Sequence, residues 1–185
     1  METVLAPEVG AVLSFWFEEL SPEQWFAQDP ILDATVSHRF GELYERLTTE
    51  GPGDWEGTAE GALAAVIVFD QFPRNIYRAS PRAFASDSQA LAVAERAISR
   101  GQDQEVGPDR RLFLYMPFQH SEDPEVQARS VALFADLGDP RSLEHARHHC
   151  AIIDRFGRFP SRNAILGRES TAEEAAFLEE RGISS

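Results

Sequence analysis

Along most of the chain, apolar residues return every three or four positions. From Pro30 to Thr49 they are Leu32, Val36, Phe40, Leu43 and Leu47, and from Asp87 to Arg100 they are Leu91, Ala94 and Ile98. Val126, Leu133 and Leu137, with Ser130 between them, continue the pattern from Pro124 to Leu137. This is the spacing of one helical face. The nearest approach to a strand, Val66-Ile67-Val68-Phe69, follows Thr58 and an Ala-rich run with no turn between. It therefore reads as the buried end of a helix.

Polar punctuation divides the pattern. Asp or Ser stands before Pro at Ser21-Pro22, Asp29-Pro30, Ser80-Pro81, Asp123-Pro124 and Asp139-Pro140. The short side chain accepts from the first free amides, and Pro fits the first helical position without losing a hydrogen bond. Gly51, Gly101, Gly138 and Gly182 follow helical stretches, where a left-handed C-terminal residue is expected. Ser170 with Glu173 and Thr171 with Glu174 form overlapping capping-box patterns. The chain therefore predicts helices at roughly 7–19, 30–49, 58–71, 87–100, 108–116, 124–137, 140–156 and 172–181. The fold class is all-α, an array of about eight helices joined by short linkers.

A chain of 185 residues with 43% apolar content buries one sizeable core, so residues 1–185 are expected to form a single helical domain. Two segments echo each other inside it. Asp70-Gln71-Phe72-Pro73-Arg74-Asn75 is answered by Asp154-Arg155-Phe156-Gly157-Arg158-Phe159-Pro160-Ser161-Arg162-Asn163. The echo suggests two divergent helical halves, although nothing outside these segments aligns. Each copy leaves a helix through an Asp, turns at Phe-Pro and presents Arg-Asn, with Arg78 or Arg168 following. Both are predicted to be ordered corners between helices.

The charge sharpens this reading. There are 31 acids against 17 bases, a net charge of −14, and every base is Arg. The absence of Lys excludes Schiff-base and Walker-type phosphate-loop chemistry, and the net charge disfavours nucleic-acid binding. Yet Arg155, Arg158, Arg162 and Arg168 gather around a single Asp154. Guanidinium groups grip carboxylates and phosphates with two donors at once, which makes Asp70, Arg74, Asn75, Arg155, Arg158, Arg162, Asn163 and Arg168 candidate ligand-binding residues. The other reading is structural. Asp70, Asp87 and Asp154 would absorb the arginines in an ion-pair lattice, with the Asn side chains tied to turn backbone.

His120 and Glu122 are expected in a loop between two helices, where an imidazole and a carboxylate would suit acid–base work. Against this, Ser121 or Asp123 caps the helix that starts at Pro124 and His120 merely packs there. His145 and His149 share a helical face but lack the third elements of known metal motifs, so no metal and no cofactor are expected, and His149 is expected to be partly buried against a corner. The aromatics Phe15-Trp16-Phe17, Trp25-Phe26 and Trp55 are either a pocket wall or core.

A single cysteine, Cys150, and an N-terminus without a basic, apolar leader point to a reducing, cytoplasmic setting. The longest apolar run, Ala62 to Phe69, is far short of the ~20 residues of a membrane helix.

The quoted motifs resemble the bacterial domain-of-unknown-function 924 (DUF924) family over nearly the whole chain. The resemblance rests on Phe15-Trp16-Phe17 with Trp25-Phe26, on Asp70 to Asn75, and on Phe84-Ala85-x-Asp87. It continues through Tyr115-Met116-Pro117-x-x-His120-Ser121-Glu122 with Gln127, through His149 to Asn163, and through Leu166-Gly167-Arg168-x-Ser170-Thr171. It implies a tetratricopeptide-like α-α superhelix and no assigned reaction. Ser161 stands where the family often has His, so the resemblance supplies no imidazole there. Together the motifs suggest a joint site in which Arg74, His120, His149 and Arg162 converge on an anionic small molecule, bound or hydrolysed. In the hydrolytic form His120 or Glu122 activates water. An alternative is a peptide-interaction module that captures an acidic segment or a terminal carboxylate.

Overall fold

Three of the five capped prolines open long helices in the computed structural model, which describes residues 6–182. Asp29 accepts from the Ile31 amide ahead of the helix that begins at Pro30, Asp123 from Glu125 and Val126 ahead of the one at Pro124, and Asp139 from Ser142 ahead of the one at Pro140. Ser21-Pro22 and Ser80-Pro81 lead only into single 3₁₀ turns, Gln24–Phe26 and Pro81–Phe84. The helices are α1 (Pro7–Ser14), α2 (Pro30–Glu50), α3 (Ala59–Val66), α4 (Phe72–Ile76), α5 (Asp87–Ser99) and α6 (Pro108–His120), followed by α7 (Pro124–Leu137), α8 (Pro140–Phe156), α9 (Asn163–Leu166) and α10 (Ala172–Glu180). The described residues contain no strand, and none of their helices is long and apolar enough to cross a membrane. The fold is all-α.

The chain divides into two compact units, one of Met1–Arg78 with Arg82–Pro117, the other of Ala79–Pro81 with Phe118–Ser185. In the first, α3 is the central element. Ala59 and every residue from Ala62 to Phe69 are at most 1% exposed, as expected of a helix apolar on all sides. It packs against α1 and α5, while α4 packs against α2 and stacks Phe72 on Phe40 at 4.7 Å. Gly61 is required at the start of α3, where an added Cβ would lie 2.0 Å from the Trp55 carbonyl oxygen. Gly61→Ala must push backbone apart, so it is expected to cost at least the ~1–3 kcal/mol of core overpacking, read as a lowered urea midpoint at unchanged slope.

The first Phe-Pro segment is not the corner the sequence suggests. The chain passes from α3 through a π-helical turn, Ile67–Gln71, straight into α4, and Pro73 lies inside this continuous helical run, which ends at Tyr77. Proline cannot donate to the carbonyl four residues back, here that of Phe69. Ser86 Oγ donates to that oxygen instead at 2.6 Å, so no buried acceptor is lost. The helix expected at 108–116 likewise runs on through Pro117 to His120. Burial of Phe113, Leu114, Tyr115 and Phe118, all at 0% exposure, outweighs the lost hydrogen bond. His120 is therefore the last residue of a helix, not a loop residue.

In the second unit α7 and α8 form an antiparallel hairpin through Gly138, which is left-handed at φ 80°. The buried stripe of α7 is Gln127, Ser130 and Phe134, offset from the Val126, Leu133 and Leu137 stripe that hydrophobicity favours. The reason is polar. Gln127 Nε2 donates to the Gln119 and Ser121 carbonyls at 2.8 and 2.7 Å, satisfying the C-terminal end of α6. Here the second Phe-Pro is a true corner. Gly157 at φ 69° ends α8 by donating to the Ile153 carbonyl, and Pro160–Arg162 forms a 3₁₀ turn into α9. Of the two capping boxes only Thr171/Glu174 forms, because Ser170 Oγ accepts from Asn163 instead.

Candidate functional site

The arginines of the first segment meet carboxylates of their own unit. Arg74 donates to both oxygens of Asp87 at 2.9 and 3.1 Å, and lies 3.4 Å from Asp70, which is fully buried. Asn75 and Arg78 share Asp33 on α2, at 2.8 Å from Asn75 and 2.6 and 2.7 Å from Arg78. Burial alone would raise the Asp33 carboxyl, but hydrogen bonds from Arg78 and Asn75 carry it below its ordinary value.

The second corner is tied more densely, around Phe159. Its amide donates to Glu122 at 2.8 Å and its carbonyl accepts from Arg168 at 3.0 Å. Arg168 also holds both oxygens of Glu122, at 2.8 and 3.0 Å, and reaches Asn163 Oδ1 at 2.9 Å. Burial pushes the Glu122 carboxyl up, but the Arg168 and Phe159 donors and the nearby guanidinium charges bring it below the usual range. Both oxygens of Glu122 are thus engaged by donors of the corner. Arg158 holds Glu174 at 2.7 and 2.8 Å, and Arg155 reaches Glu173 at 2.8 Å. Glu174 is 2% exposed, and the bond from Arg158 takes its carboxyl down to about 2 against the opposing effect of burial. Asp154, the partner expected from the sequence, instead accepts from Cys150 at 3.7 Å.

Two further groups touch the Phe159 ring. The Arg162 guanidinium lies 4.8 Å from its centroid and donates to the His120 carbonyl at 2.9 Å. The His149 ring meets Phe159 edge to face at 5.5 Å and 76°. Its Nδ1 is 2.8 Å from the His145 carbonyl, a contact that places the proton on Nδ1 and the lone pair on Nε2. Burial lowers the His149 imidazole to about 4, and the neighbouring His120 adds to the shift. The ring is therefore neutral across the physiological range. Among the described residues no three of His, Cys, Asp and Glu gather as a metal site would need.

Several of the motif residues that carry the family resemblance, Glu122, Phe159, Asn163 and Arg168 among them, build this corner. Residues 12–182 match the model of the DUF924 family, described as bacterial protein of unknown function. The chain belongs to this family. A solved structure of a protein of unknown function from Agrobacterium tumefaciens is 40% identical, with a TM-score of 0.89 over 93% of this chain and 97% of that one. No curated protein matches the chain. In this DUF924 chain the Glu122, Asn163 and Arg168 side chains go into hydrogen bonds that hold the turn, and Gln127 ties off the end of α6. His149 and Arg162 flank the ring that the turn presents.

One feature escaped the sequence pattern. The first unit carries an open cleft of about 530 Å³ whose lining includes Phe17, Trp25, Glu60, Glu105, Asp109 and Arg110. The aromatic segments were a signal for it, since Phe15 and Trp16 are core whereas Phe17 and Trp25 are half-buried. The acidic residues, scattered from position 60 to 109, gave none.

Proposed function

We propose that the second corner is a binding or hydrolytic site for an anionic small molecule, centred on His149 and His120, with Arg162 as the cation that receives the anion. The observation that carries this reading is the His149 ring. It is hooked by Nδ1 to its own helix and wedged against Phe159, while its Nε2 hydrogen-bonds to no described residue. A neutral imidazole of fixed tautomer is suited to accept a proton from water or from a ligand hydroxyl. An adjacent guanidinium supplies in-plane donors and a permanent positive charge for developing negative charge. Glu122, Arg168, Arg158 and Glu174 then serve as the frame that holds Phe159 between the two groups, and Arg74 belongs to a separate lattice in the first unit.

Titrating phosphate into the protein while following the His149 ring nitrogens by NMR tests the proposal. A saturable shift of the Nε2 signal is expected, with a rise in melting temperature that follows phosphate occupancy. His149→Gln and Arg162→Ala should each weaken phosphate binding roughly tenfold, the loss of one charge-assisted contact. A parent protein whose His149 signals ignore phosphate would remove the basis of the reading.

A further inference from the structure

The cleft of the first unit supports an inference independent of His149. Its aromatic wall is rigid. Phe17 and Trp25 meet edge to face at 5.9 Å and 73°, both rings abut Phe113 at 5.5 and 5.0 Å, and Trp25 Nε1 donates to the Trp16 carbonyl at 2.7 Å. The wall also already receives a cation, because the Arg110 guanidinium lies 5.2 Å from the Phe17 ring centroid. Four carboxylates, Glu18, Glu60, Glu105 and Asp109, line the same opening, and none of them pairs with a cation among the described residues. Several other arginines of this unit are spent on carboxylates, as Arg39 is on Glu19, Arg46 on Glu8 and Arg96 on Glu56. The cleft thus differs from these ion pairs in that its acids stand beside aromatic faces with no guanidinium bonded to them.

We infer that this cleft binds a small organic cation, an ammonium or guanidinium head on an apolar body. The apolar body lies against Phe17 and Trp25, where ring faces attract the positive head, and Glu60, Glu105 and Asp109 supply the opposing charge. The volume of about 530 Å³ falls within the range of small-molecule pockets, about 300–1,000 Å³. An anion is disfavoured by four carboxylates around one guanidinium. Arg110 is then an internal occupant of the cation position on Phe17, and a ligand head that displaces it would leave Arg110 free to swing toward solvent.

Calorimetric titration of the full chain with benzyltrimethylammonium, with benzyl alcohol and benzoate as the uncharged and anionic controls, tests this. Saturable millimolar binding of the cation is expected, weaker in high salt, with a shift of the Trp25 indole N–H in the NMR spectrum. The controls should bind at least tenfold more weakly. Glu105→Gln and Asp109→Asn change exposed side chains and should leave melting unchanged while weakening the cation roughly threefold to tenfold each. Arg110→Ala should tighten it by a similar factor. Equal binding of cation and benzyl alcohol would reduce the cleft to a greasy patch and overturn the inference. So would a response to a Lys-rich peptide with none to the small cation.

Discussion

Arg74→Ala is expected to destabilise the first unit by about 3–5 kcal/mol, the cost of stripping the cation from a buried ion pair. Asp70 is completely buried and Asp87 largely so, and one guanidinium faces both. Burial disfavours the charged Arg74, yet the two carboxylates outweigh it and raise its pKa, so the guanidinium stays ionised wherever the unit is folded. Removing it leaves Asp70 to protonate or to draw water into the helix. The same change deletes the donor to the Asp70 carbonyl within the helical run that Pro73 interrupts. Urea melts at neutral pH measure the loss. An Arg74→Met/Asp70→Leu double variant should recover part of it, because it removes the buried Asp70 charge, while Asp87 still lacks its bidentate partner. A loss below about 1 kcal/mol for Arg74→Ala, the range of solvent-exposed pairs, would show that the pair is hydrated in solution.

The long helices were legible because their signals are local. An Asp before a Pro states both a cap and a permitted first position, and a Gly after an apolar period states an ending, so α2, α5, α7, α8 and α10 lie within two residues or so of expectation. The two segments that were misjudged depend on distant residues. Pro73 and Pro117 look like helix stops in sequence. What keeps the backbone helical at Pro73 is Ser86 reaching the Phe69 carbonyl, and at Pro117 the burial of α6 on both sides of the proline. Arginine partners behave in the same way. Asp70 and Asp87 lie close enough in sequence to Arg74 to be suspected, whereas Glu122 and Arg168 stand 46 residues apart and join only because the turn at Phe159 brings them together. His149 was expected to be partly buried against a corner, and it packs on Phe159. The hook to its own helix, which fixes the tautomer, is a matter of ring rotation that spacing does not encode.

The second corner carries the other large effect, and it separates frame from site. Arg168→Ala is expected to cost about 3 kcal/mol, because it unpairs Glu122 while taking a donor from the Phe159 carbonyl and another from Asn163. Arg162→Ala takes away a bond to the His120 carbonyl, a ring contact and a positive charge near Glu122, but leaves the Arg168–Glu122 pair in place, so a smaller loss of about 1–2 kcal/mol is expected. The two variants should therefore differ in melting temperature, and in the opposite sense for phosphate, with Arg168→Ala retaining binding where it still folds and Arg162→Ala binding roughly tenfold more weakly. Acid provides an independent check on the frame. Glu174 is held at about 2, against about 4.5 when exposed in the unfolded chain, so the unfolded state takes up the proton first. Its contribution is complete above pH 4.5 and is lost as pH falls from there toward 2. The parent should thus melt progressively earlier across that window. Arg158→Ala, which removes the cation opposite Glu174, should be most destabilised at neutral pH and should close the gap to the parent as Glu174 protonates. A gap that stays constant from pH 7 to pH 3 would mean that the Arg158–Glu174 pair adds nothing to the fold, and the corner would then need another source of rigidity.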